Sequence, residues 1–402
     1  MRVLVWQWGR YGAGPRFAAH LAEALNGLPG VVGVLSLSAE AEILLGPDRP
    51  RCDLPVSTYT NIAGLAGRVL RGASLLAELT RELRGLQADL AICAMPGPLD
   101  LMFLSALRRA GVPVAVIVHD AKRHPGDGFP LLMALQRRLV AGADAVLALS
   151  SHVATQLRVR KMLRPGAKLI VMAHPPFDFG TVAPPFAHGG IPRLLTFGRL
   201  LPYKGLDLLA EALIRMGPRA DLQLRVVGSG PESRTLRTLR RHAGVSVENR
   251  WVPEGEIGAL IGWADALVLP YREASQSGVA ATALAAGRRV IATRVGGLAE
   301  QLAGEELARL CDPDAASLAA AIQEILNAPA LPVSHLPRDS ATAWPALARR
   351  VVDELGPHPQ PPLPLAGEVA TRSVAGEGAG TWGTLTRFAS RTDLSRRAGE
   401  VD

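Results

Sequence analysis

Cysteine is scarce: the 402 residues hold only Cys52, Cys93 and Cys311, far apart and without a C-x-x-C spacing. That excludes a disulfide framework and a cysteine-built zinc site, and a reducing cytoplasm is the default expectation. Aromatic residues make up 4% of the chain, and none interleaves with its basic clusters as stacking platforms for nucleic acid would. No stretch reaches the roughly 18 uninterrupted apolar residues of a membrane span. The nearest, Leu90 to Leu107, is broken by Pro96, Gly97, Pro98 and Asp100. The N-terminal run VLVWQW is too brief for a signal-peptide core and ends at Gly9. Neither secretion nor a membrane crossing is expected. No D-x-D or H-E-x-x-H pattern lies in a loop placed to hold a metal, so neither a metal nor a cofactor is expected.

What is present belongs to a globular chain: 48% hydrophobic and 20% charged residues, with a mean hydropathy of +0.18. The formal charge of +8 permits attraction to phosphate-bearing partners, among them nucleotides and anionic lipid headgroups. Short apolar runs alternate with helical periodicity. Strands are expected at 3–8, 31–37, 88–94, 112–118 and 143–150, with helices at Pro15–Leu25, Leu99–Ala110 and Pro130–Val140. Continuous apolar strands between amphipathic helices fit parallel sheets covered on both faces. The proline- and glycine-dense text between Pro175 and Pro192 interrupts the pattern, which then restarts. The second half gives strands at 193–200, 222–230, near Val252, at 265–270 and at 288–295, with helices at Gly205–Met216, Pro231–Ala243, Glu256–Ala264, Gly278–Ala286, Leu298–Leu302 and Ala315–Leu326.

The expected organisation is a first α/β domain over 1–180, a linker at 181–192, a second α/β domain over 193–340, a helix at 341–355 and a tail over 356–402. The tail is rich in proline, glycine and alanine without a sustained apolar period, and disorder is expected there.

Several loops could carry chemistry. Gly9, Gly12 and Gly14 follow a strand and open a helix, where main-chain N–H groups can approach an anion; a tight strand-to-helix turn is the plain alternative. Their spacing is not the G-x-G-x-x-G dinucleotide fingerprint, which disfavours a nicotinamide cofactor. Arg199 and Lys204, beside Gly198, leave the first strand of the second half, where two cations can hold a diphosphate or merely face solvent. Gly228 and Gly230 end another strand and admit close approach to the main chain. The polar turn before the helix at Gly278 leaves N–H groups at Ser277, Gly278 and Val279 for an anion, while Ser275 and Ser277 are equally good N-caps. His119 and Asp120 end an apolar strand; His124 has less positional support, and His174 suits a hinge or a packing role.

The order GRLLPYKG (198–205), VVGSGPE (226–232), ADALVLPYREASQSGV (264–279) and ALAAGRRVIATRVGGLAEQL (283–302) resembles the retaining glycosyltransferases of family 4, in particular a subset with an E-A-S-Q-S-G turn. The resemblance implies the GT-B architecture: two facing Rossmann-like, doubly wound parallel-sheet domains with a cleft between them. It also implies transfer of a sugar from a nucleoside-diphosphate sugar to a hydroxyl of a glycan or lipid-linked acceptor, with retention of configuration and without a metal. In that family the residues matching Arg199 and Lys204 hold the donor diphosphate. The turn matching Ser275, Ser277, Gly278 and Val279 caps it, and positions matching Gly12, Gly198, Gly228 and Gly230 approach the donor. The histidine matching His119 lies near the transferred sugar. Glu273 matches the first of two family glutamates eight positions apart; Thr282 stands near the second, one position further along.

The segment around Trp344 resembles the family's terminal helix, which crosses back to the first domain. A bacterial role in surface polysaccharide or glycolipid assembly is implied, in the cytoplasm and peripherally at the inner face of the membrane. The basic bias from Arg108 to Arg164 suits an anionic surface. A sugar-nucleotide epimerase and a catalytically degenerate binding protein are the alternative readings.

Overall fold

The computed structural model describes residues 1–46, 49–126, 130–177, 179, 185, 190–327 and 340–356. The first sheet is built from β1 (Arg2–Gln7), β2 (Val32–Leu37), β3 (Leu90–Cys93), β4 (Val114–Val118), β5 (Ala145–Ala148) and β6 (Lys168–Val171). Its order is β2-β1-β3-β4-β5-β6, every pair parallel. The interleaved helices are α1 (Ala13–Asn26), α2 (Ile62–Leu70), α3 (Gly72–Leu86), α4 (Asp100–Ala110), α5 (Pro130–Gly142) and α6 (Ser151–Val159).

The all-apolar β4 shows why the runs are continuous: Val114, Val116 and Val118 enter one core, with α3, α4 and α6, while Ala115 and Ile117 enter the other, with α1. A period of 2 that buries both faces leaves no position for a polar residue.

The second sheet uses β7 (Arg193–Phe197), β8 (Gln223–Gly228), β9 (Val245–Asn249), β10 (Ala266–Leu269), β11 (Arg289–Thr293) and β12 (Ala308–Cys311). Its order is β12-β11-β10-β7-β8-β9, again parallel throughout. Its helices are α7 (Leu206–Met216), α8 (Arg234–Arg241), α9 (Glu254–Trp263), α10 (Gly278–Ala285), α11 (Gly296–Gln301) and α12 (Ala315–Asn327). Strand order reverses between β7 and β10, so the loops leaving those two strands flank an opening at the sheet's carboxyl edge, where open α/β sheets hold ligands.

The strand expected near Val252 is corrected. β9 ends at Asn249 and Val252 lies in the following loop, because the pairing with β8 finishes at Gly228 opposite Asn249. The helices α2, α3 and α6 and the strands β6 and β12 add to the expected set.

A last helix, α13 (Ser340–Leu355), packs on α1 of the first lobe. Trp344, Leu347, Ala348 and Val351 belong to the first lobe's core, and Trp344 meets Phe17 edge-on at 4.9 Å. Its indole N–H donates to the Pro176 carbonyl at 2.8 Å. The expected linker falls outside the described residues except at Pro185 and 190–192, and the expected tail does so except at Gly356.

Candidate functional site

The loop leaving β7 is shaped by contacts that tolerate no side chain. Gly228 lies so close to Gly198 that a Cβ on it would stand 1.7 Å from the Gly198 carbonyl oxygen. Gly205, at φ 65°, presses on the loop leaving β10, where an added Cβ would stand 1.8 Å from the Pro270 oxygen. These approaches seat Arg199 and Lys204 beside Tyr271. The Lys204 ammonium lies 3.8 Å from the Tyr271 ring centroid and 5.0 Å from that of Tyr203, and Arg199 donates to the Tyr203 hydroxyl at 3.0 Å. Among the described residues no carboxylate forms an ion pair with Lys204. Desolvation lowers its pKa, and the nearby Arg199 charge adds to that against the opposing influence of Tyr203 and Asp120.

At the start of α10 the Ser277 hydroxyl accepts from the Ala280 N–H at 3.2 Å, an N-cap. The main chain of Ser277 is held twice by Gln301: its N–H donates to the Gln301 Oε1 at 2.8 Å, and its carbonyl accepts from Nε2 at 2.9 Å. The N–H of Ser277, expected to face an anion, is therefore already engaged. Gly278 and Val279 carry the helix tip's open face.

From the first lobe, the Gly12 turn (φ 85°) that opens α1 faces the same space, as do His119 and Asp120 at the end of β4. His119 Nε2 lies 3.0 Å from the Ala94 carbonyl, which only accepts, so Nε2 carries the proton. Burial holds this imidazole's pKa low. His174 donates from Nδ1 to the Pro175 carbonyl at 2.7 Å, and its ring rests on Gly278 at the tip of α10. Burial first, and the neighbouring His119 second, push its pKa down to about 3. Beyond the expected packing role, His174 is thus part of the wall.

These loops face one cavity of about 380 Å³ between the lobes. Of the residues singled out from the sequence, Gly12, His119, Asp120, His124, His174, Gly198, Arg199, Lys204, Gly228, Ser277, Gly278 and Val279 lie on its wall. Three stand off it. Gly230 packs against the Leu200 carbonyl, where a Cβ would come within 2.3 Å. The Ser275 carbonyl accepts from the Ser150 hydroxyl at 2.7 Å, across the lobes. Glu273 is drawn to the first lobe by Lys122 at 3.0 Å and His124 at 3.2 Å. Thr282 is on the wall, and its hydroxyl accepts from the Phe177 N–H at 3.3 Å.

Wall residues that the sequence did not single out include Arg16, Phe177, Phe197, Trp251 and Tyr271, which only tertiary contact brings together. Arg16 of the first lobe pairs with Glu254 of the second, and Tyr11 meets Trp251 edge-on at 6.0 Å. Among the described residues, no group of three or more His, Cys, Asp or Glu side chains could hold a metal ion.

Two six-stranded parallel sheets facing across a cleft, with a last helix returning to the first lobe, define the GT-B fold. The same fold occurs in the solved structures of Anabaena HepE in complex with UDP and glucose (TM-score 0.62, 17% identity, 89% of this chain and 97% of that one) and of the lipopolysaccharide outer core galactosyltransferase WaaB (TM-score 0.61, 16% identity, 88% and 99%). Residues 12–176 match the family described as Glycosyl transferase 4-like domain, and residues 191–328 the family described as Glycosyl transferases group 1. One match per lobe places the chain among the GT-B glycosyltransferases.

A 2-deoxystreptamine glucosyltransferase of Streptomyces kanamyceticus is 26% identical over 340 residues, covering 77% of this chain and 84% of that protein. A D-inositol 3-phosphate glycosyltransferase of Pseudarthrobacter chlorophenolicus is 34% identical over 186 residues, 42% and 43% of the two chains. With several relatives the match spans about half of their length, as with the 53% of a GDP-mannose:glycolipid 4-beta-D-mannosyltransferase of Xanthomonas campestris.

Proposed function

We propose that this chain transfers a sugar from a nucleoside-diphosphate sugar to a hydroxyl of a glycan or lipid-linked acceptor, with retention of configuration. The observation that carries the proposal is the convergence of Arg199, Lys204 and the open N–H groups of Gly278 and Val279 on one cavity, with no carboxylate paired to Lys204 among the described residues. A cation with no paired carboxylate among the described residues, beside the positive end of a helix, is arranged for a ligand that brings the negative charge. Cleavage of the bond between the anomeric carbon and the diphosphate builds charge on oxygen, and preorganised cations and N–H dipoles stabilise that oxygen as the bond breaks. The departing diphosphate oxygen, held on the same face as the acceptor, is then placed to take the acceptor's proton. Gly12 and His119 line the cavity from the first lobe, and we assign them to the donor phosphates and the transferred sugar respectively. Water is thereby kept from the donor.

Glycan or lipid-linked acceptors suit the mannosyltransferase relative, whose name specifies a glycolipid. No helix among the described residues is long and apolar enough to cross a membrane, so contact with an anionic bilayer would be peripheral. Arg137 and Arg138 on α5, close in sequence to the exposed Leu131, suit such contact.

The test is release of UDP or GDP from a panel of nucleotide sugars, with and without hydroxyl acceptors, in the wild type and in Arg199→Ala. The expected outcome is release that acceptors stimulate and that falls at least about 100-fold in the variant. Conversion of a nucleotide sugar to its epimer without an acceptor would instead make the protein an epimerase. That activity occurs on a related fold in UDP-GlcNAc 2-epimerase from Neisseria meningitidis (TM-score 0.56, 11% identity). Binding without turnover of any donor would leave a degenerate binding protein.

A further inference from the structure

The loop after β4 crosses to the second lobe through four charged groups in series. His124 is buried; its Nε2 lies 2.9 Å from Asp120 Oδ1 in its own loop, and its Nδ1 lies 3.2 Å from Glu273 Oε2 in the opposite lobe. The same Glu273 oxygen takes the Lys122 ammonium at 3.0 Å. A carboxylate can only accept, so a ring that bonds one at each nitrogen carries a proton on both: His124 is an imidazolium here. With it charged, Asp120, Lys122, His124 and Glu273 sum to zero; without it they carry a net negative charge in a half-buried place. The imidazolium also lies flat on Tyr203, with centroids 4.6 Å apart and planes at 15°. Tyr203 in turn accepts from Arg199 and sits beside Lys204.

We propose that His124 is a positioning residue which, with Glu273 as its counterpart, latches the two lobes together and sets Tyr203 beneath the cation pair. Glu273 then serves the closed conformation of the cleft and does not touch the substrate. The latch rests on this geometry alone; its effect on turnover rests on the glycosyl-transfer reading.

The groups around His124 are Asp120 and Lys122 from its own loop and Glu273 and Tyr203 from the other lobe, with Lys204 packed on the same Tyr203. Burial alone would lower its pKa, but the hydrogen bonds and charges of Asp120 and Glu273 outweigh burial and raise it. The latch is therefore closed while His124 keeps its second proton and released as rising pH removes it.

The test needs no knowledge of the substrate. Spin labels placed at the exposed positions Leu131 and Ile214, in a background with Cys52 replaced by serine, report the distance between the lobes. At pH 6 the wild type is expected to give one narrow distribution, and at pH 9 a broad and longer one; His124→Gln is expected to give the broad one at both. Glu273→Gln should match His124→Gln, and the double variant should be no broader than either. A narrow distribution retained by His124→Gln at pH 6, or one in the wild type that ignores pH, overturns the latch.

Turnover supplies the second arm, with UDP-glucose and GDP-mannose as probes. If the wild type releases UDP or GDP, His124→Gln should lower kcat about 10-fold and lose the alkaline limb of the pH profile, with the Kd for UDP or GDP within about 3-fold of wild type. Glu273→Gln abolishing turnover while His124→Gln leaves it normal would make Glu273 catalytic and overturn the assignment. If the wild type neither binds nor cleaves any donor, the glycosyl-transfer reading fails and the distance measurement still decides the latch.

Discussion

Replacing Lys204 by methionine separates a residue kept for a ligand from one kept for the fold. The change preserves the length of the chain and removes an ammonium that faces Tyr203 and Tyr271 with no paired carboxylate among the described residues. The free protein loses a cation–aromatic attraction of about 1–2 kcal/mol and is relieved of a comparable desolvation cost. Its Tm should therefore stay within a few degrees of wild type. The bound state loses a charge-assisted contact to phosphate inside a dry cavity, about 2–4 kcal/mol, or roughly 30- to 1,000-fold in affinity.

Differential scanning fluorimetry with UDP and GDP reads both quantities together. If nucleotide is supplied at about 100 times the wild-type Kd, it stabilises the wild type by about 2.7 kcal/mol; after a 100-fold loss of affinity the same concentration gives about 0.4 kcal/mol. Stabilisation by nucleotide that survives in Lys204→Met would refute the placing of a diphosphate at this lysine. A collapse of Tm without ligand would show that the ammonium holds the fold together.

Other perturbations probe the surroundings of the site. Gly228→Ala places a Cβ 1.7 Å from the Gly198 oxygen, so the two strand ends must separate; a loss of more than about 3 kcal/mol in urea unfolding is expected. Gly12→Ala meets no atom within 4 Å and is penalised only by φ 85°; about 1–2 kcal/mol is expected, and equal losses in the two variants would contradict the steric argument.

Asp100 is buried behind the loop after β3, where burial raises its pKa from 3.8 to about 6 despite donors from Gly97, Trp6 and Cys93. The folded state binds this proton more tightly than the unfolded chain, so the group favours folding most below about pH 4, and that advantage is lost as pH rises through 6. The change amounts to about 3 kcal/mol. Urea unfolding of wild type and Asp100→Asn should show a difference that changes by about 2.4 kcal/mol between pH 4 and pH 7; a constant difference would refute it.

The local half of the protein was legible in the sequence. Continuous apolar runs set which segments become buried strands, and their alternation with amphipathic helices set a parallel α/β fold, because each rests on a period of 2 or 3.6 residues along the chain. Gly198, Arg199, Lys204 and Gly278 could be placed on strand-to-helix loops, and so at the carboxyl edge of a sheet, without any knowledge of tertiary contacts. The strand near Val252 was misplaced because the end of β9 depends on where β8 stops pairing, a property of two strands together.

Tertiary structure alone decided what those loops meet. Gln301, 24 residues further on, takes the N–H of Ser277; Lys122 and His124 take Glu273 from across the cleft, 149 residues away in the case of His124. Whether an N–H or a carboxylate is available to a ligand depends on every donor, acceptor and charge within a few ångströms. Most of those neighbours come from distant parts of the chain, where no local period records them.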